Sequence, residues 1–160
     1  MSLIIVGKST EILSFEKFFP IEVRRGQYYF KERIFFQLNN AAVYSMINKK
    51  FKTHTLLLQD PAFNHVFHQL LERIKQDHNL KDPFNDKYPD SIFVKVTPET
   101  MVCDGVLENR KRYNAHMIIQ VSLWSNEDQL CISLKAHRVK IISQDSGNRN
   151  EIPDFIEIEC

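Results

Sequence analysis

A chain of 160 residues, 43% hydrophobic and 26% charged, has the size and composition of one globular domain rather than of a disordered segment. No stretch approaches the ~18 apolar residues of a membrane span, and Met1 to Thr10 lacks the regions of a signal peptide, so the protein is read as intracellular with no membrane partner. Cys103, Cys131 and Cys160 form no CxxC pair and are read as free thiols, which sets aside a disulfide framework and a cysteine zinc site.

The net charge of +1 conceals an asymmetry: residues 17–54 hold eight cations against two carboxylates, and residues 143–160 hold one cation against five. A basic early region with an acidic end suits a polyanion-binding surface, although solvated faces of an ordinary domain have the same look. Twelve Phe and five Tyr against four Gly give aromatics enough to fill a core and leave some for a surface.

Along the chain, Leu3 to Val6 precede Gly7-Lys8-Ser9-Thr10, which resembles the end of a phosphate-binding loop. That loop needs a first glycine five residues before the second, and Ser2 stands there, so an NTPase is set aside. Gly26-Gln27 separates Ile21–Arg25 from the run Tyr28–Leu38 and predicts a hairpin. Alternation in that run places Tyr28, Phe30, Ile34, Phe36 and Leu38 on a core face and Tyr29, Lys31, Arg33, Phe35 and Gln37 on the other. Asp60 followed by Pro61, with Phe63, Val66, Phe67, Leu70, Leu71 and Ile74 at three- and four-residue spacing, predicts a capped amphipathic helix over about 60–78. His65, His68 and Glu72 share its polar face without a further ligand cluster, which reads as solvated surface rather than a metal site. The prolines and aspartates of 81–90 predict a loop leading into a strand at Ser91–Val96. Asp86, Asp90, Glu99 and Asp104 offer carboxylates to a nuclease-like metal site, but the Glu-x-Lys that would follow Pro89-Asp90 is missing.

In the C-terminal half, Tyr113, Ala115, Met117, Ile119, Val121 and Leu123 alternate with polar residues up to Trp124, and Ser125–Asp128 is the turn. On the returning strand Ile132, Leu134 and Ala136 have one parity and Val139 and Ile141 the other, so a bulge must absorb one residue between them.

Single-stranded nucleic acid exposes phosphates and unstacked bases together, so its groove needs cations to follow the backbone and flat rings for the bases. Tyr29, Lys31, Arg33 and Phe35 supply both on one face; Arg110, Lys111 and Arg112 stand at a strand entry, Trp124 at a strand end, and Lys135 and Arg138 on the closing strand. The competing reading puts Phe35 and Trp124 under the helix as core and leaves the cations as solubilising charge.

The stretch Tyr113 to Ile141, YNAHMIIQVSLWSNEDQLCISLKAHRVKI, resembles the last hairpin of oligonucleotide-binding-fold single-stranded DNA-binding proteins of phages and large DNA viruses. The resemblance covers about 30 residues and rests on the alternating strand ending in an aromatic, the polar turn and the closing strand Ile132–Val139. It implies a five-stranded barrel with extra strands, a helix between its third and fourth strands, and coating of single strands in replication or recombination. It also implies an acidic C-terminal tip that recruits replication proteins and, for a viral protein, a place in the host nucleus or cytoplasm. Glu151 to Cys160 matches such a tip in charge, but Phe155, Ile156 and Ile158 make it apolar enough to pack as a strand.

The expectation is therefore a single mainly β, barrel-like domain over residues 1–160 with one helix, binding single-stranded DNA, or RNA, without strong sequence preference. No catalysis, cofactor or metal is expected. A protein-interaction or homo-oligomerisation module and, more remotely, a metal-dependent nuclease are the alternatives.

Overall fold

The computed structural model describes residues 2–6, 15–84 and 91–144. In chain order it contains β1 (Ser2–Ile5), β2 (Glu22–Arg24), β3 (Gln27–Tyr29), β4 (Ile34–Asn48), β5 (Thr53–Leu58), α1 (Pro61–Lys75), β6 (Ile92–Val96), β7 (Met101–Cys103), β8 (Lys111–Asn126) and β9 (Gln129–Gln144). Five of these strands close on themselves. β4 pairs antiparallel with β5, β5 antiparallel with β6, β6 parallel with β9, β9 antiparallel with β8, and β8 antiparallel with β4. The result is an oligonucleotide-binding-like barrel with β1 and β7 added to its edges.

Strand β4 serves two neighbours on one edge because it bends. β8 follows it from Ile34 to Ser45, while β1 takes the opposite edge at Ile34–Gln37 and β5 takes it at Val43–Asn48. The register shifts between Leu38 and Ala41, where Asn40 adopts φ 59°, a left-handed backbone that asparagine tolerates better than most residues. Two hydrogen bonds cross the bend: the Asn40 backbone N–H donates to His116 Nδ1 at 3.0 Å, and Asn114 Nδ2 donates to Asn40 Oδ1 at 3.0 Å. The bulge expected on the closing strand is His137, which is skipped between the pairs Ile118–Arg138 and Ile119–Ala136.

Inward residues of all five strands form one cluster with the apolar stripe of α1, whose Phe63, Val66, Phe67, Leu70, Leu71 and Ile74 are buried as their spacing predicts. Phe63 meets Phe36 edge to face at 5.2 Å. Each such side chain contributes roughly 1.5–3 kcal/mol by leaving water, so the stripe is what holds the helix to the barrel. Asp60 caps the helix by accepting a hydrogen bond from the Phe63 backbone N–H at 3.1 Å.

Three expectations require correction. The helix lies between the second and third barrel strands, β5 and β6, not between the third and fourth. The run Tyr28–Leu38 is not one strand: β3 ends at Tyr29 and β4 begins at Ile34, so Tyr29 and Phe35 stand on different elements. The hairpin β2–β3 turns at Arg25 and Gly26, both with positive φ, and it forms its own two-stranded sheet. Cys131 is a free buried thiol, but Cys103 is disulfide-bonded rather than free. Gly7 to Thr10, Asp86, Asp90, Cys160 and the acidic segment 151–160 lie outside the described residues.

Candidate functional site

The outward positions of the barrel form a row that crosses every strand. Thr55 is paired with Lys95, Lys95 with Lys135, Lys135 with Gln120, and Gln120 with Phe35. None of the five belongs to the core cluster, as their parity requires. Two lysines thus stand on adjacent strands, an arrangement that costs repulsion unless an anion lies over it. Glu99 answers part of that charge: Lys135 Nζ donates to its carboxylate at 2.8 Å, and this hydrogen bond holds the Glu99 carboxyl below its usual range.

A hollow of about 360 Å³ lies on this face, bordered by Phe93 and Lys95 of β6, Trp124 of β8, Cys131 and Ser133 of β9, and Lys81 and Phe84 after the helix. Trp124 is 46% exposed and paired with Cys131. The 79–81 segment is tied beside the start of β9 by the Lys81 N–H donating to the Leu130 carbonyl and the Leu130 N–H donating to that of Asn79, both at 2.9 Å. Phe84 is anchored there by stacking on His68, centroids 4.6 Å apart. That stacking also occupies the helix face that His65, His68 and Glu72 share, and the described residues contain no group of three metal-ligating side chains.

Thr55 and Phe93 also line a second hollow that continues the first toward the β4–β5 turn, where Lys49, Asn109 and Arg110 stand. Arg110 is placed by its backbone: it has φ 59° and donates its N–H to the Ser45 carbonyl at 2.8 Å, while Asn109 Oδ1 accepts from the Ile47 N–H at 2.8 Å. Tyr113 holds the approach to this loop, accepting from the Glu108 N–H and donating to the Val106 carbonyl. The β4–β5 turn itself reads Lys49-Lys50-Phe51-Lys52, with Phe51 67% exposed and the Lys50 ammonium 5.4 Å from its ring centre. Asn48 Oδ1 shapes the turn by accepting from the Lys50 and Phe51 N–H groups.

A third hollow lies between the β2–β3 hairpin and β8, lined by Arg24, Arg25, Tyr29, Lys31 and Arg33 on one side and Gln120 and Ser122 on the other. The Arg24 guanidinium lies 4.3 Å from the centre of the exposed Tyr29 ring.

The residues singled out in the sequence are therefore distributed. Trp124 and Lys135 belong to the outer face of the barrel and Arg110 stands at its far end, while Tyr29, Lys31 and Arg33 line the hairpin hollow. Phe35 is 5% exposed and packs edge to face on His137 at 5.6 Å, so its ring is not presented to a ligand. Parity identifies its face correctly but cannot show that the face is covered there. Lys111 and Arg112 lie exposed at the start of β8, with Arg112 over the Tyr44 ring, and Arg138 is half-buried beyond the bulge; none of the three lines a hollow described above. Sequence reasoning misses Lys49, Phe51, Phe93 and Lys95. The turn Lys-Lys-Phe-Lys carries a legible signal, cations around an aromatic between two strands, whereas Phe93 and Lys95 gain meaning only beside β9, which lies far off in the chain.

Comparisons with protein-family models, curated proteins and solved structures find no match.

Proposed function

We infer that the chain binds single-stranded DNA without strong sequence preference, laying the strand over the outer face of β5, β6 and β9. The observation that carries this reading is the alternation of cations and rings along one track: Lys49 and Arg110, then the half-buried Phe93 with the exposed Lys95, then the exposed Trp124. Cations follow the phosphates and are indifferent to sequence; rings accept any base, because each base has a π face. In barrels of this architecture the second and third strands and their adjoining turns are the usual surface for oligonucleotides, and the track coincides with it. Duplex DNA buries its base faces and offers nothing to Phe93 or Trp124. A role in coating single strands during replication or recombination is what the resemblance of residues 113–141 implies.

The test is fluorescence anisotropy with labelled oligo-dT, oligo-rU and duplex DNA at two salt concentrations. The reading expects single strands to bind more tightly than duplex, with affinity falling steeply as salt rises. Tight self-association without oligonucleotide binding would instead support an interaction module.

A further inference from the structure

The hairpin hollow is one-sidedly charged. Arg24, Arg25, Lys31 and Arg33 all line it, and no carboxylate among the described residues does. The barrel-face hollow, by contrast, sets Lys81 and Lys95 against Asp82. Glu22 lies 3.8 Å from Arg24 and is a weak, exposed partner for it. Four like charges around a cleft of about 890 Å³ give it a positive potential that favours the entry of an anion. The walls are suited to a particular anion: Tyr29 gives an exposed ring held under a guanidinium, and Gln120 and Ser122 give hydrogen-bonding groups on the opposite side.

This cleft is not isolated from the barrel face. Ser122 lines it, Ser133 lines the barrel-face hollow, and the two are direct partners across β8 and β9. Likewise Gln120 of the cleft is the partner of Lys135, which is the partner of Lys95. A strand leaving Lys95 crosses two inter-strand spacings, about 10 Å, to arrive at Gln120.

We propose that the β2–β3 hairpin forms a second nucleic-acid subsite, continuous with the barrel face across the Ser122–Ser133 pair, so that a strand long enough to pass β8 is clamped between hairpin and barrel. This rests on the function inferred above and adds to it a path and a length dependence. Short oligonucleotides fill the barrel face alone; longer ones also engage Arg24, Lys31 and Arg33.

The experiment titrates labelled oligo-dT of about 4 to about 16 nucleotides, the range of site sizes for one such barrel, into the wild-type chain and into Arg24→Ala/Lys31→Ala/Arg33→Ala. Wild-type affinity should rise with length, and the triple variant should match it on the shortest oligonucleotides while losing the gain on the longest. Removing three phosphate-neutralising cations takes about 2 from the logarithmic salt slope for a single strand, so a fourfold rise in salt should weaken the variant on the longest oligonucleotide about twentyfold less than wild type. The charge-preserving Arg24→Lys/Arg33→Lys variant should keep the gain, which separates loss of charge from loss of fold. Equal weakening of the alanine variant at every length, or identical curves for variant and wild type, would overturn the second subsite while leaving single-strand binding in place. A wild-type chain that binds no single strand at any length removes the inferred function itself, and the subsite with it.

Discussion

Replacing Trp124 by alanine should weaken oligo-dT binding by about 1–3 kcal/mol, the usual range for one stacked base. The structure supports that magnitude. Trp124 is 46% exposed, which on a side chain of roughly 250 Å² leaves roughly 115 Å² available. Covering one ring face takes about half of it out of water, and at ~25 cal/mol per Å² this gives about 1.5 kcal/mol before any specific ring–base attraction. Affinity should therefore fall on the order of tenfold or more, and Trp124→Phe should recover much of it. Trp124 is the only tryptophan, so its emission reports on this one position and should be quenched as oligo-dT is added. The ring lies outside the core cluster, so the thermal midpoint of Trp124→Ala should stay close to wild type. Unchanged emission at saturating oligonucleotide together with unchanged affinity of the variant would refute the placement of the base.

Charge substitutions give further tests. Lys95→Glu should weaken binding to all sequences alike and reduce the salt slope by more than the share of one phosphate, because it also introduces repulsion on the track. Glu99→Gln should tighten binding severalfold at low salt by releasing Lys135, seen in the same anisotropy titration. On the stability side, His116 is held below the ordinary imidazole pKa by burial and by Lys140, and His54 by burial. The unfolded chain then binds more protons than the folded one as pH falls through about 6.5, so stability is complete above that value and declines below it. Protonating His116 Nδ1 also removes the acceptor for the Asn40 N–H. Urea denaturation at pH 7.5 and pH 5.5 should show the loss, and His54→Gln/His116→Gln should flatten it. Asp60→Ala should cost about 1 kcal/mol by leaving the first helical turn uncapped, measured by the same denaturation.

What the sequence made legible were the features set by near neighbours. Asp60-Pro61 and the following apolar spacing marked the helix, and the parity change between Ala136 and Val139 marked the bulge at His137. Features that depend on remote partners were not legible. The alternating run is followed only to Leu38, yet β4 continues through Asn39 and Asn40 to Asn48, where Asn40 bonds to Asn114 and His116 at the bulge and Asn39 Oδ1 accepts from Gln37. The place of the helix between β5 and β6 depends on that continuation, because β5 pairs with the far half of β4. The site divides in the same way. The outward face of Trp124 followed from strand parity alone, but Lys95 stands beside Lys135 only because a parallel pairing joins strands remote in the chain. Phe35 shows the converse: alternation assigns a face but does not say what covers it.

The most direct test of the central claim is photocrosslinking of oligo-dT containing 5-iodouracil to the intact chain, with the joined residues identified by mass spectrometry. Halogenated bases react with rings stacked against them, so the account predicts adducts at Trp124, Phe93 and Phe51, suppressed by unlabelled oligo-dT and by high salt. Adducts confined to the exposed face of α1, or none under conditions where the oligonucleotide is bound, would contradict it.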